Sequence, residues 1–243
     1  MTLENGEQSL VSQQPIQDRI EEGTKVFGAA VLSAVPLVGG SLASAFTGSL
    51  AITDRHTQER WLGLLAQRVD ELSRRSSLEW EEIVGDAKFA SAVVKALRIA
   101  RETTNEQKHN LLVNAACNSG SWAGDAEAVT TFFTRLLERY EPEHVLVLRA
   151  CHDPNDFLVT HSENVGNGQL HWIFANIIYK GTVEWEPLAR VVLQDLHQDG
   201  LITDSVGLGY DLNDAPHRLS TPFAASFLRF CSEPFARGTD DKT

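Results

Sequence analysis

Side chains that could bind a metal or transfer protons cluster near the middle of the chain, at His144, Cys151, His152 and Asp153. Imidazole, thiolate and carboxylate groups are the usual ligands of zinc in proteins. On one helix, His144 and Cys151 would share a face because they are seven residues apart, but His152 would then point elsewhere. The spacing matches no zinc-site motif, so we predict capping or surface roles here and no metal site.

Other candidate groups for catalysis also lack the spacing that their chemistry requires. Asp195, His197 and Asp199 alternate along the chain, and alternating side chains cannot all lie on one face of a helix. Ser205 and Ser220 stand in no nucleophile-elbow motif. No glycine-rich phosphate loop with its Lys-Ser/Thr pair is present in the sequence. We therefore predict that the chain is not an enzyme and binds no cofactor.

The sequence is organised instead around an apolar stretch, Val26–Thr53, which carries no Lys, Arg, Asp, Glu or His over 28 residues. Its length meets the roughly 20 apolar residues that a membrane-spanning helix needs. Gly, Ala and Ser lower its apolar character, and Pro36 with Gly39-Gly40 interrupts it near the middle. Because proline lacks an amide donor and disfavours helix at Val35, we expect a kink or break there.

The second half of the stretch has two distinct sides. Small residues recur at every fourth position from Gly40, and such a ridge allows helices to approach closely. Apolar residues recur at every fourth position from Leu42, on the opposite side of a helix. The residues that we expect to contact a partner or a membrane are Val35, Pro36, Gly39, Gly40, Leu42, Ser44, Phe46, Gly48 and Leu50.

Two interpretations of this stretch stay open. Two helices could form an apolar hairpin at the centre of a soluble bundle, with arms of about 16 Å that are too short to span a bilayer. One kinked helix of full length could instead contact the membrane, conditionally on a trigger. No Lys/Arg cluster flanks the stretch to attract anionic lipid or to orient a permanent anchor.

Composition narrows the classes of partner and compartment. The formal net charge of −12 and the sequence pI of about 5.1 argue against nucleic acid as a partner. A protein partner or self-association is the contact that we expect, through the small-residue ridge of the apolar stretch. Three widely spaced cysteines include Cys117 and Cys231 in apolar surroundings, which predicts buried thiols in a reducing cytoplasm. We expect a cytoplasmic protein, attached to or inserted in the inner membrane only on activation.

Helical periodicity divides the chain into regions. We expect a disordered tail at 1–14, a helical domain at 15–140 that contains the apolar segment, a winged-helix-like domain at 141–235 and a tail at 236–243. The predicted fold class is therefore mainly α: a helical bundle with an apolar central hairpin and a C-terminal winged helix. The strongest helical stripe is formed by Val129, Phe132, Phe133, Leu136, Leu137 and Tyr140.

The winged-helix prediction depends on the order of elements after Pro142. A helix at Glu184–Gln198 precedes a predicted β-hairpin at Leu201–Thr203 and Leu208–Leu212, and Pro222 begins a last helix. Glycine at Gly200 suits the end of the first of these helices. On the first helix, the side chains expected to point inward are Leu188, Val191, Val192 and Leu196. On the last helix, Phe223, Phe227 and Phe230 share one face.

The charge of the predicted winged-helix domain argues against DNA binding. In a winged helix the third helix normally enters the major groove. The corresponding helix here, Glu184–Gln198, has one Arg against three acidic residues, and residues 141–243 hold 15 acidic and 7 basic side chains. We therefore expect this domain to bind protein or to be purely structural.

The layout as a whole resembles the Abi-alpha family of bacterial abortive-infection proteins over about residues 15–235. The elements that carry the resemblance are AVPLVGGSLASAF (Ala34–Phe46), the K-x-x-L-L-x-N-A run (Lys108–Ala115) and FFTRLLERYEPEHVLVLRA (Phe132–Ala150). The resemblance implies antiviral defence, with host damage or arrest as the output and no catalytic residues to carry over. The alternative function is a winged-helix transcriptional regulator or a structural scaffold subunit.

Overall fold

The structure is a computed structural model that describes residues 52–154, 156–157, 174–175, 186–203 and 219–234. Within these ranges the chain forms eight α-helices and one 3-10 turn at Ser121–Ala123, and no named β-strand occurs in them. The predicted mainly helical fold is confirmed. The helices are α1 (Ile52–Arg75), α2 (Trp80–Gly85), α3 (Ala87–Ala100), α4 (Glu106–Cys117), α5 (Glu127–Arg139), α6 (Pro142–His152), α7 (Glu186–Gln198) and α8 (Pro222–Cys231).

The described chain divides into two compact units. The first unit holds the described residues up to Thr134 together with those from Ser232 on. The second unit lies within Arg135–Cys231, so the division falls inside helix α5. The regions expected at 1–14, at 15–51 and at 236–243 lie outside the described residues, as does Leu208–Leu212, the second arm of the predicted hairpin.

Helix α4 is the most completely buried helix of the first unit, where it packs against α1 and α3. Four apolar residues of α1 recur in the sequence at intervals of three and four, which predicts one buried helix face. The structure confirms that face, since each of the four has at most 1% of its surface exposed. These four are Trp61, Leu65, Val69 and Leu72. The short helix α2 packs against both α1 and α3 and contributes Ile83 to the core.

Two helices of the first unit have a side-chain cap at their N-terminus. The Asp86 carboxylate accepts a hydrogen bond from the Phe89 amide at 2.8 Å, at the start of α3. The Asn105 side chain accepts hydrogen bonds from the amides of Gln107 and Lys108, at 2.9 and 3.2 Å, at the start of α4. Each cap gives a partner to amide groups that the helix itself leaves unbonded.

In the second unit, α6 packs against both α7 and α8. Helix α7 ends at Gln198, and Gly200 caps it as predicted, with a φ of 71° and an amide that donates to the His197 carbonyl. The next amide, of Leu201, reaches back to the carbonyl of Leu196 at 2.9 Å, which completes a Schellman motif. Ile202 then forms an isolated antiparallel bridge with Ser220, directly before α8.

Four members of the predicted helical stripes lie outside the core, and for Leu188 and Val191 this contradicts the predicted inward orientation. Phe132, Leu188 and Phe223 are 40, 40 and 36% exposed, and Val191 is 49% exposed. Each lies on the flank of its helix, beside the buried face. On α7 the buried stripe starts one residue later and contains Ala189, Val192, Leu193 and Leu196. A stripe that started at Leu188 would have included Asp195, whereas the observed stripe is apolar throughout.

We predict that the two adjacent phenylalanines of α5 differ sharply in their effect on stability. Phe133 is 1% exposed, so Phe133→Ala should lower the free energy of unfolding by about 3–5 kcal/mol. Phe132→Ala, at the 40% exposed neighbour, should cost roughly 1 kcal/mol or less. Urea denaturation of the two variants measures this difference, and equal losses would contradict the burial of α5.

Candidate functional site

The residues predicted from sequence to make functional contacts all lie outside the described residues. Of the apolar stretch, only Ile52 and Thr53 fall within them, where they begin helix α1. No helix in the described part of the chain is long and apolar enough to cross a membrane. The contacts expected from Val35 to Leu50 therefore stay predictions.

Helix α7 presents an apolar surface that the sequence reading had placed in the core. Leu188 and Val191 are three residues apart, so they are neighbours on the helix surface. Pro187 beside them is also exposed. Scattered exposed apolar residues are ordinary, but a contiguous apolar surface is typical of protein contacts. We call Pro187, Leu188 and Val191 the α7 apolar surface.

The charges beside this surface leave no unpaired cation on α7. The Arg190 guanidinium donates two hydrogen bonds to the Glu186 carboxylate, at 2.7 and 3.0 Å. Both side chains lie on the same helix, four residues apart, in the favourable order of acid before base. The α7 apolar surface is therefore bordered by a neutralised pair rather than by free positive charge.

Two carboxylates toward the C-terminal end of α7 hold it within the second unit. The Asp199 carboxylate accepts hydrogen bonds from the Tyr140 hydroxyl and from the Arg139 guanidinium. Tyr140 is 1% exposed, and its ring meets the ring of Phe227 edge-on at 6.0 Å. Burial and the neighbouring Asp199 carboxylate both raise the pKa of Tyr140, so the phenol stays protonated and keeps donating.

Asp195, one helical turn before Asp199, faces His144 of α6. The Nδ1 atom of His144 accepts a hydrogen bond from the Glu141 amide at 3.1 Å, which places the ring proton on Nε2. That Nε2 atom lies 3.4 Å from the Asp195 carboxylate. The His144 ring also stacks on Tyr140, with centroids 4.6 Å apart and planes 8° from parallel.

Asp195, His197 and Asp199 do not share one helix face, in agreement with their alternation in the sequence. Residues four apart share a helix face, so the two aspartates act together. His197 lies apart from them, with Nδ1 3.4 Å from the Ile202 carbonyl. The i, i+4 spacing of the aspartates could have been found from sequence, but their partners near residue 140 could not.

The three described cysteines and His152 lie in places where they contribute to the fold rather than to chemistry. Cys117, Cys151 and Cys231 are all buried and free of disulfides. Burial raises the pKa of both Cys117 and Cys151 to about 12, so neither is a reactive thiolate near neutral pH. His152 is hydrogen-bonded to the Ser220 hydroxyl at 2.8 Å, which ties the end of α6 to the residue pair before α8.

The described residues contain no group of three or more His, Cys, Asp or Glu arranged to hold a metal ion. The polar cluster around Tyr140 has its groups paired with one another: phenol with Asp199, and imidazole with Asp195. These hydrogen bonds fix α7 against α6. The candidate functional site is therefore the α7 apolar surface that this cluster leaves exposed.

Comparison of the chain with protein-family models, with curated proteins and with solved structures gives no match. The resemblance to abortive-infection proteins stays a prediction.

We predict an acid-dependent loss of stability that depends on His144. Burial lowers the pKa of His144 below its ordinary value of 6.5, so the unfolded chain binds this proton more readily than the folded one. The stabilisation by neutral His144 is therefore complete above about pH 6.5 and is lost as the pH falls below it.

His144→Gln is the matched variant, because its side-chain oxygen can also accept from the Glu141 amide and the variant cannot titrate. Urea denaturation between pH 5 and 8 should show a steeper decline for the wild type than for the variant. Parallel curves would contradict the assignment.

Proposed function

We propose that the chain is a non-enzymatic effector or adaptor of bacterial phage defence, of the abortive-infection type, that acts through protein–protein contacts. The observation that carries the protein-binding part is the exposed pair Leu188 and Val191 on a helix whose C-terminal end is held by polar contacts of Asp195 and Asp199. The defence part is supported by the resemblance of residues 15–235 to the Abi-alpha layout.

The partner we propose for the α7 apolar surface is a different protein, with apolar side chains bordered by Lys or Arg. Charge supports this choice, because the chain carries a formal net charge of −12 and a second copy would repel the first. Nucleic acid would require free cations on α7, and its Arg190 is paired with Glu186.

The apolar stretch at 26–53 is the second contact in this proposal. It stays packed away at rest and is released by a trigger, so that its small-residue ridge and apolar stripe meet a partner or the inner membrane. Such a switch needs a partner that favours the released state by only a few kcal/mol.

A winged-helix regulator is the second candidate function. The order of α7, the Ile202–Ser220 bridge and α8 favours a winged-helix-like arrangement of the second unit. The acidic balance of α7 supports protein binding over DNA binding by such a domain. Salt-sensitive, sequence-specific binding to duplex DNA at physiological salt would favour the regulator instead.

We predict that Val191→Asp abolishes phage protection while Gln194→Asp preserves it. Both positions are exposed on α7 and both variants add one negative charge, but only the first disrupts the apolar surface. Plaque counts on a bacterial host expressing each variant measure protection, and circular dichroism confirms that both fold. Failure of the wild type to reduce plaque number would contradict the defence function. Full protection by Val191→Asp would contradict the role of α7.

Cell fractionation tests the apolar stretch. We expect the wild type to move from the soluble to the membrane fraction on phage infection, and Leu42→Asp combined with Phe46→Asp to stay soluble, because two buried charges oppose contact with lipid. Gly40→Leu or Gly48→Leu should block close packing of the ridge. Wild type that stays soluble in both conditions would show that the stretch belongs to the core.

A further inference from the structure

An open groove of about 250 Å³ lies between helices α3 and α5 in the first unit. Facing sides of neighbouring helices are usually apolar and closely packed. Here the walls carry short polar side chains and two lysines instead. The lining residues are Ala87, Lys88, Ser91, Ala92, Lys95, Ser119, Glu127, Thr130, Thr131 and Thr134.

The α3 wall brings both lysines to the same side of the helix. Lys88, Ser91 and Lys95 follow one another at intervals of three and four residues, which is the spacing of one helix face. The two lysine backbones are about 10 Å apart along the axis, and their flexible four-carbon stems let both ammonium groups reach one ligand. Ser91 lies between them, and its small side chain leaves the space open.

The α5 wall offers hydroxyl groups. Glu127, Thr130, Thr131 and Thr134 also share one helix face. The Thr134 hydroxyl donates to the Thr130 carbonyl at 2.8 Å, so its remaining capacity is to accept. The Thr130 hydroxyl lies 3.5 Å from the Ala126 carbonyl, too far for a strong bond, and it is available to donate to a ligand.

The groove is positive in an acidic protein. Neither Lys88 nor Lys95 forms an ion pair with any other residue in the described ranges. Glu127, the one acidic residue of the lining, stands in the first turn of α5, where the helix dipole stabilises its charge. Two exposed ammonium groups facing hydroxyls, in a chain of net charge −12, are thus free to bind an anion.

We propose that this groove binds a small phosphate-bearing molecule. Lys88 and Lys95 would contact the phosphate oxygens as charges, and Ser91 and Thr130 would donate hydrogen bonds. A phosphate group suits this set because it presents several strong acceptor oxygens to several donors at once. The volume of about 250 Å³ admits one or two phosphates with a small organic group, and it excludes a nucleic-acid duplex. This ligand is independent of the α7 apolar surface.

Isothermal titration calorimetry of the full chain at low salt tests the proposal, with pyrophosphate and inorganic phosphate as probes and citrate as the carboxylate comparison. We expect saturable binding of pyrophosphate, weaker binding of inorganic phosphate and still weaker binding of citrate. Absence of saturable phosphate binding would overturn the proposal, and citrate binding as tight as pyrophosphate would overturn the assignment to phosphate.

Matched variants place the site. Lys88→Gln with Lys95→Gln should weaken pyrophosphate binding by at least about tenfold, the loss expected from one charge-assisted hydrogen bond. Arg75→Gln with Arg149→Gln removes the same charge from exposed positions outside the groove, and it should change affinity by less than about twofold, through screened long-range attraction alone.

Ser91→Phe keeps every charge and fills the groove, so it should also weaken pyrophosphate binding. Equal losses in both charge variants, or unchanged binding by Ser91→Phe, would overturn the placement.

Discussion

Buried polar side chains that must find partners inside the protein constrain both units of this structure. In the first unit, α4 buries His109 at 3% exposure, and its Nε2 atom lies 3.0 Å from the carbonyls of both Ala100 and Thr103. These carbonyls belong to the end of α3 and the turn after it, where a helix leaves its acceptors unbonded. In the second unit, Tyr140 and Asp199 form the equivalent internal pair. Because an unpaired buried polar group is costly, these pairs fix how neighbouring helices meet.

The pairing is incomplete at His109, whose buried Nδ1 atom has no hydrogen-bond partner among the described residues. Other helix faces take no part in these internal contacts. The α7 apolar surface lies in the first half of the helix, whereas the carboxylates that hold α7 lie toward its end. The groove of the first unit lies on the side of α3 that does not bury its apolar stripe. The first surface suits a protein and the second an anion. In both proposals the surface binds a partner, and neither proposal involves the buried thiols or the paired histidine.

The sequence predicts most of the described helices because each alternates buried and exposed positions with a helical period. On α3, Phe89, Val93, Leu97 and Ala100 recur at helical spacing in the sequence, and all four are buried. Asn118, a residue that often ends helices, directly follows α4, and Gly200 follows α7. These features follow from local chemistry alone. At Phe132, Leu188 and Phe223, the prediction placed a flanking residue on the buried face of its helix. Periodicity shows that a helix has a buried face, but it fixes the direction of that face less precisely.

The candidate sites were less predictable than the helices. Asp195 and Asp199 are joined to residues 139–144 by contacts more than 50 residues apart, which no local spacing reveals. The groove likewise depends on the tertiary arrangement of α3 and α5, two helices that are not consecutive in the sequence. From the sequence alone, the lysines and threonines that line the groove cannot be distinguished from ordinary solvent-exposed residues.

A double-mutant cycle between Tyr140→Phe and Asp199→Ala tests the central claim most directly. Both single variants and the double variant are compared with the wild type in the free energy of unfolding, measured by urea denaturation. If the internal pair fixes α7, the two substitutions should couple by about 1 kcal/mol or more. Additive losses, with coupling below about 0.3 kcal/mol, would contradict the view that buried polar pairing positions this helix.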